Sequence, residues 1–96
     1  MVRQLINNNG NYAANQFVIT TRTATYFQSY NSVVCKIQGG SVTLSSNWDY
    51  SKTTMKHLYI FLREYGYGSL CTSKDIRKAI KNGEVTLENV SSLELF

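Results

Sequence analysis

The sequence predicts an α+β fold in which an antiparallel β-meander of three to four strands packs against two C-terminal helices. Three observations support this prediction. Residues 16–45 contain strand-like segments joined by turn dipeptides, residues 51–65 show helical periodicity, and residues 72–83 lie between a capping threonine and an Asn-Gly stop. The chain has 96 residues, 43% hydrophobic and 17% charged, which suffices for one globular core. We therefore expect a single domain over residues 1–96.

The strands are predicted from the turns that separate them. Residues 7–16 hold five asparagines and a glycine, which favour turns, so we expect a loop there and a first strand at residues 16–20. Segments 24–30, 33–38 and 41–45 follow. They are separated by Asn31-Ser32 and by Gly39-Gly40, and the second pair is typical of a type I′ hairpin turn.

A two-residue turn fixes which residues oppose each other in a hairpin, and hence which face each side chain occupies. The expected cross-strand pairs are Ile37–Val42, Cys35–Leu44, Tyr26–Ile37 and Tyr30–Val33. The residues predicted to face the core are Tyr26, Tyr30, Val33, Cys35, Ile37, Val42 and Leu44. The opposite face is predicted to carry Phe27, Ser29, Val34, Lys36 and Thr43.

Two helices are predicted after this meander. The first begins at Ser51 or Asp49 as cap and ends at Gly66, and its apolar stripe comprises Met55, Leu58, Tyr59, Leu62 and Tyr65, with Phe61 at the edge. The second begins at Thr72 and stops at Asn82-Gly83, with Ile76, Ala79 and Ile80 facing the core.

The C-terminal segment is rich in apolar residues. Val85 and Leu87 alternate with Glu84 and Glu88, which predicts a last strand or an extended arm. The apolar residues that follow are Val90, Leu93, Leu95 and Phe96. We expect this segment to dock on the domain or on a second copy, which would give a homodimer.

Catalytic and metal-binding motifs are not found in the sequence. His57 is the only histidine, and Glu64 lies seven residues further on, about 10 Å along a helix. Cys35 and Cys71 are isolated and lack ligand spacing, so we expect two reduced thiols. We predict no enzyme activity and no cofactor or metal. With no apolar run of about 18 residues and no signal segment, we expect a cytoplasmic protein without a membrane partner.

Positive charge is concentrated in the helical part of the chain, where residues 52–81 contain seven basic and two acidic residues. Lys52, Lys56 and Arg63 fall within about 40° of one another on an ideal helix. The second helix carries Lys74, Arg77, Lys78 and Lys81. Two interpretations stay open: these residues contact phosphates, or they form an ordinary solvated surface.

Aromatic residues flank the predicted first helix. Trp48 precedes it, and Tyr65 and Tyr67 follow around its end. Exposed rings at these positions could stack on a base or anchor a protein interface. The alternative is that Trp48 covers the edge of a small core.

The segment 48–62 contains the pattern Tyr50-Ser51-x-Thr53-Thr54-x-Lys56-His57. It resembles a family of short, uncharacterised proteins from phages of low-GC Gram-positive bacteria, and residues 8–13 and 26–31 are similar to other stretches of that family. The resemblance covers residues 5–62. It implies a phage or prophage setting and a host-cytoplasm location, and it makes Trp48, Tyr50, Ser51, Thr53 and Thr54 family-motif candidates. A structural alternative is that Ser51 and Thr54 cap the helix while Tyr50 packs.

The leading functional expectation is a phage accessory protein that binds a host or defence-system macromolecule stoichiometrically, as an anti-CRISPR-type inhibitor does. The alternatives are a small basic nucleic-acid-binding protein and a small virion or assembly component, the latter supported by the apolar C-terminus. The candidate partner- or nucleic-acid-binding residues are Lys52, Lys56, His57, Arg63, Tyr65, Tyr67, Lys74, Arg77, Lys78 and Lys81.

Overall fold

A computed structural model describes residues 1–88 as one mixed sheet with two helices on one of its faces. In chain order the elements are β1 (Val2–Ile6), β2 (Tyr12–Thr20), β3 (Thr25–Ser29), β4 (Ser32–Gln38), β5 (Ser41–Ser45), α1 (Lys52–Glu64), α2 (Ser73–Lys81) and β6 (Val85–Glu88). The predicted α+β class is confirmed.

The sheet has six strands in sequential order, which is more than the three to four predicted. Strands β1 to β5 are antiparallel, whereas β6 lies parallel to β5. A parallel neighbour requires a crossover connection, and α1 and α2 provide it. The helices therefore precede the last strand instead of ending the chain. The apolar residues Val90, Leu93, Leu95 and Phe96 lie outside the described residues.

The N-terminal hairpin of β1 and β2 corrects the predicted loop over residues 7–16. Only residues 7–11 form the turn. There the side-chain Oδ1 of Asn7 accepts hydrogen bonds from the backbone N–H groups of Asn9 (3.0 Å) and Asn11 (3.1 Å). Gly10 adopts φ +81°, a conformation that glycine tolerates well. The turn residues and the second half of β2, residues 16–20, agree with the prediction, whereas β1 and the first half of β2 were not predicted.

The hairpin of β4 and β5 has the predicted register, with Cys35 opposite Leu44 and Ile37 opposite Val42. Gly39 and Gly40 both have positive φ, as a type I′ turn requires. The β3–β4 hairpin differs from the prediction. Its turn is Tyr30-Asn31 instead of Asn31-Ser32, and a bulge follows Phe27.

This shift moves every side chain of β3 to the other face of the sheet. Phe27 pairs with Cys35 and is fully buried under the helices, where Tyr26 was expected. Ser29 also faces the helices and is buried. Tyr30 was predicted in the core, yet its side chain is 52% exposed. At the bulge Val34, predicted to be on the outer face, is instead part of the core.

Both helices begin where the sequence predicts. The side-chain hydroxyl of Ser51 caps α1 by accepting the N–H of Thr54, and Thr72 caps α2 in the same way through the N–H of Asp75. The buried side of α1 is rotated from the predicted stripe. Phe61 is fully buried at its centre, and Met55 and Tyr59 are only partly buried.

Candidate functional site

A cleft of about 680 Å³ lies at the start of α1. One wall comes from the end of β3, the Tyr30-Asn31 turn and the start of β4, and the other from residues 47–54. We call it the motif cleft because four of the five family-motif candidates, all except Trp48, line it. Its lining residues are Ser29, Tyr30, Asn31, Ser32, Val34, Asn47, Tyr50, Ser51, Thr53 and Thr54.

The motif cleft is lined by uncharged and mostly polar side chains. Of the ten lining residues, nine carry a hydroxyl or an amide group, one is valine, and none is charged. Two aromatic rings stand at the cleft with large exposed fractions, Tyr50 at 83% and Tyr30 at 52%. The cleft therefore offers many hydrogen-bonding groups together with two exposed apolar ring surfaces.

The floor of the cleft is a short hydrogen-bonded chain that joins α1 to the sheet. The hydroxyl of Ser51 donates to Oγ1 of Thr54 at 3.1 Å, and that oxygen lies 3.1 Å from Oγ of Ser29 in β3. Thr54 and Ser29 are each only 3% exposed. Ser51 and Thr54 form the helix cap, as the capping interpretation expected, and they also line the cleft. Tyr50, which that interpretation expected to pack, is exposed.

Tyr30 is held in an unusual backbone conformation at the cleft. Its φ is +55°, in the left-handed region that a side chain with a Cβ rarely adopts. Two hydrogen bonds fix it: its N–H donates to the carbonyl of Asn15 at 2.7 Å, and its own carbonyl accepts from Nε2 of Gln28 at 2.7 Å. The exposed ring of Tyr30 consequently sits on a constrained backbone.

His57 is close to the motif in sequence but does not line the cleft. Its side chain is buried, and Nδ1 lies 2.8 Å from the carbonyl oxygen of Thr53, one turn earlier in α1. Within residues 1–88, His, Cys, Asp and Glu side chains nowhere gather in threes as a metal site would require. The same residues include no helix long and apolar enough to cross a membrane.

The aromatic residues around α1 are engaged inside the fold. Trp48 is 4% exposed, and the guanidinium of Arg77 lies 5.3 Å from its ring centroid while also donating to Asp49 at 3.2 Å. These contacts fasten α2 to the segment before α1. Trp48 therefore covers the edge of the core, which is one of its two interpretations from the sequence, and Arg77 stays exposed while its guanidinium lies over the Trp48 ring.

The tyrosines at the end of α1 are also partly built into the core. The ring of Tyr65 lies 5.0 Å from that of Phe61, and its hydroxyl accepts a hydrogen bond from Arg3 at 3.3 Å. Arg3 also forms a salt bridge with Glu64. Tyr67 is half-buried and packs on the same core. Neither ring is fully available for stacking on a partner.

The predicted basic residues divide into two groups. Arg63 donates to Oδ1 of Asn8 at 2.6 Å, and Arg77 is paired as described. The other five are exposed lysines, and none forms a salt bridge with a carboxylate of residues 1–88: Lys52, Lys56, Lys74, Lys78 and Lys81. None of these lysines lines the motif cleft, although Lys52 stands between two residues that do, Ser51 and Thr53.

These observations define an α+β protein with a six-stranded mixed sheet, two helices in the crossover and a neutral, tyrosine-flanked cleft at the start of the first helix. The chain belongs to a family of unknown function, DUF8033, whose family model matches residues 1–83. The matched region includes β1 to β5, both helices and the whole cleft. The searches of curated proteins and of solved structures gave no match.

Proposed function

We propose that this protein is a non-enzymatic phage accessory protein that acts by binding a host or defence-system protein stoichiometrically through the motif cleft. One observation carries the proposal: the cleft is lined by tyrosine, serine, threonine and asparagine, with a single valine and no charged side chain. Tyrosine supplies large contact area at low entropic cost, while serine and asparagine supply adaptable hydrogen bonds, which is why antibody paratopes are rich in them.

The exposure of the two rings supports a macromolecular partner. Tyr50 and Tyr30 remain 83% and 52% exposed although each side chain has a large apolar surface. Aromatic side chains at the centre of an interface contribute much of its binding energy when a partner buries them. The floor formed by Ser51, Thr54 and Ser29 is already hydrogen-bonded, so it loses little conformational freedom on binding.

The phage setting rests on the resemblance that the sequence motif carries. Four of its residues, Tyr50, Ser51, Thr53 and Thr54, line the motif cleft. Lys56 and His57, which complete the pattern, lie further along α1 and do not line it. The coincidence of the motif with the cleft favours a role of these residues in binding in addition to the helix cap. An anti-CRISPR-type inhibitor is one form that such binding would take.

The test is capture from a host lysate followed by titration with the purified target. We expect a complex with one target molecule per chain, measured by calorimetry. Tyr50→Ala should weaken it about tenfold or more, since losing an interface tyrosine costs on the order of 1.4 kcal/mol or more. Tyr12→Ala is the matched control because Tyr12 is 70% exposed but lies in β2, outside the cleft.

Two outcomes would contradict the proposal. The first is equal affinity of the Tyr50→Ala and wild-type chains for the captured protein. The second is covalent modification of more target molecules than there are molecules of this protein, which would indicate catalysis.

A further inference from the structure

We infer that the helix layer carries a second binding surface, separate from the motif cleft, that takes a nucleic-acid backbone. We call it the lysine surface. It consists of Lys52 and Lys56 on α1 and Lys74, Lys78 and Lys81 on α2. The inference goes beyond the proposed cleft function and does not depend on it.

The positions on α2 show that its lysines project away from the core. At 100° per residue, Lys74, Lys78 and Lys81 fall within about 60° of one another. The buried residues Ile76 and Ala79 lie on the opposite side of the same helix. Their spacing of four and three residues makes one stripe, about 10 Å long at 1.5 Å per residue.

The two lysines of α1 also project away from the core. Lys52 and Lys56 are one turn apart, and both are exposed. The centre of the buried side, at Phe61, lies about 160° away around the helix axis. Because both helices cover the same face of the sheet, the two sets of lysines lie on the outer surface of one layer.

Two of the acidic residues nearby are paired with arginines. Asp49 is paired with Arg77, Glu64 is paired with Arg3, and the carboxylate of Asp75 accepts the hydroxyl of Thr72 at 2.8 Å. These are all the carboxylates between residues 1 and 83. Asp75 keeps its negative charge, because a hydroxyl donor does not neutralise a carboxylate, and the exposed Glu84 lies just after the end of α2. The lysine surface therefore has five lysines against these two carboxylates and remains positive.

The scarcity of exposed apolar groups on the helices favours a nucleic acid over a protein or a membrane as the partner of the lysine surface. Among residues 51–86, the structure exposes no large hydrophobic side chain; Tyr50 and Leu87 flank this range, and Tyr50 belongs to the motif cleft. A protein interface normally supplies aromatic or aliphatic anchors, and a membrane-surface helix needs an apolar face. Phosphate contacts need only long cationic side chains, and they are independent of base sequence.

The experiment is fluorescence anisotropy with a labelled 30-base-pair DNA duplex across a range of salt concentrations. We expect the affinity to fall with salt with a log-log slope of about −4, because each neutralised phosphate contributes about −0.9. Lys78→Gln should reduce the slope by about one unit. Arg22→Gln, which removes one exposed charge from the β2–β3 loop, should leave it unchanged.

Three outcomes would overturn the inference. They are no binding at about 20 mM salt, equal effects of Lys78→Gln and Arg22→Gln, and polyglutamate or anionic vesicles competing as well as DNA. The Tyr50→Ala variant keeps the two proposals distinguishable, because it should bind DNA like the wild-type chain.

Discussion

Phe27 of β3 and Phe61 of α1 stack with ring centroids 5.6 Å apart and ring planes 26° apart, and both side chains are fully buried. This contact joins the middle of the sheet to the middle of the helix above it. Neither residue was placed in the core from the sequence, since Phe27 was assigned to the outer face and Phe61 to the edge of the helical stripe. Because each ring packs against the other, Phe27 and Phe61 both belong to the core.

The first prediction concerns the stability of this packing. Phe61→Ala should lower the free energy of unfolding by about 3–5 kcal/mol, because it removes a fully buried ring and leaves a cavity. Met55→Ala, at a partly buried position of the same helix, should cost less than about half as much. Urea unfolding followed by circular dichroism measures both. An equal or larger loss for Met55→Ala would show that the helix packs on the predicted stripe instead.

The sequence predicted the features that depend on local chemistry. Ser51 and Thr72 cap their helices, and Gly39-Gly40 sets the β4–β5 register, because these residue types strongly favour those conformations. The β3–β4 turn could not be placed because it puts the non-glycine residue Tyr30 in the left-handed region. A bulge then shifts the strand by one residue, and residue patterns do not specify such a slip.

Only one wall of the motif cleft is predicted from the sequence. The motif residues Tyr50, Ser51, Thr53 and Thr54 were selected from the sequence and do line a common cleft. The opposite wall was missed because Tyr30 and its neighbours were placed in the core or in a turn. Strand β1 was missed as well, since the five residues Val2–Ile6 lack a strong alternating pattern.

A second prediction concerns Gln16, which is fully buried beside Ser29 in the sheet. Within the described residues, neither polar atom of its side-chain amide has a hydrogen-bond partner. An unpaired buried amide costs about 1–3 kcal/mol, so Gln16→Met should raise the free energy of unfolding by an amount in that range. Thermal unfolding measures it. A destabilised variant would mean that Gln16 makes a hydrogen bond, for example to an internal water molecule.

A third prediction separates the two cysteines. Cys35 is fully buried, and burial raises the pKa of its thiol, whereas Cys71 is exposed. Only the thiolate reacts with disulfide reagents, so the native chain should react quickly at one thiol and the denatured chain at two. A Cys71→Ser variant should show almost no fast reaction when native. Rapid labelling of that variant would contradict the burial of Cys35.

A fourth prediction links the α2 cap to pH. The hydroxyl of Thr72 donates to the carboxylate of Asp75 and holds the pKa of that group below its ordinary value of 3.8. A carboxyl whose pKa is lowered by folding contributes stability above its unfolded pKa, and that contribution disappears as the pH falls through the folded pKa. Thr72→Ala should cost about 1 kcal/mol at pH 7 through loss of the cap.

The pH profile provides the control for this prediction. The difference in stability between wild type and Thr72→Ala should shrink as the pH falls below about 4, because protonated Asp75 no longer gains from the hydrogen bond. Lys74→Ala, which leaves the cap intact, should show no such convergence. A constant difference from pH 7 to pH 2 would show that Asp75 is not coupled to Thr72.

The last prediction is that replacing Tyr30 stabilises the fold but weakens binding of the target. Asparagine tolerates positive φ better than tyrosine, so Tyr30→Asn should raise the free energy of unfolding by a few tenths to about 1 kcal/mol. The same change removes an exposed ring from the motif cleft, so affinity for the target should fall about tenfold. Thermal unfolding and titration of one preparation measure both quantities. If Tyr30 has only a structural role, its ring does not contact the target. The more stable Tyr30→Asn variant should then bind the target at least as tightly as the wild type.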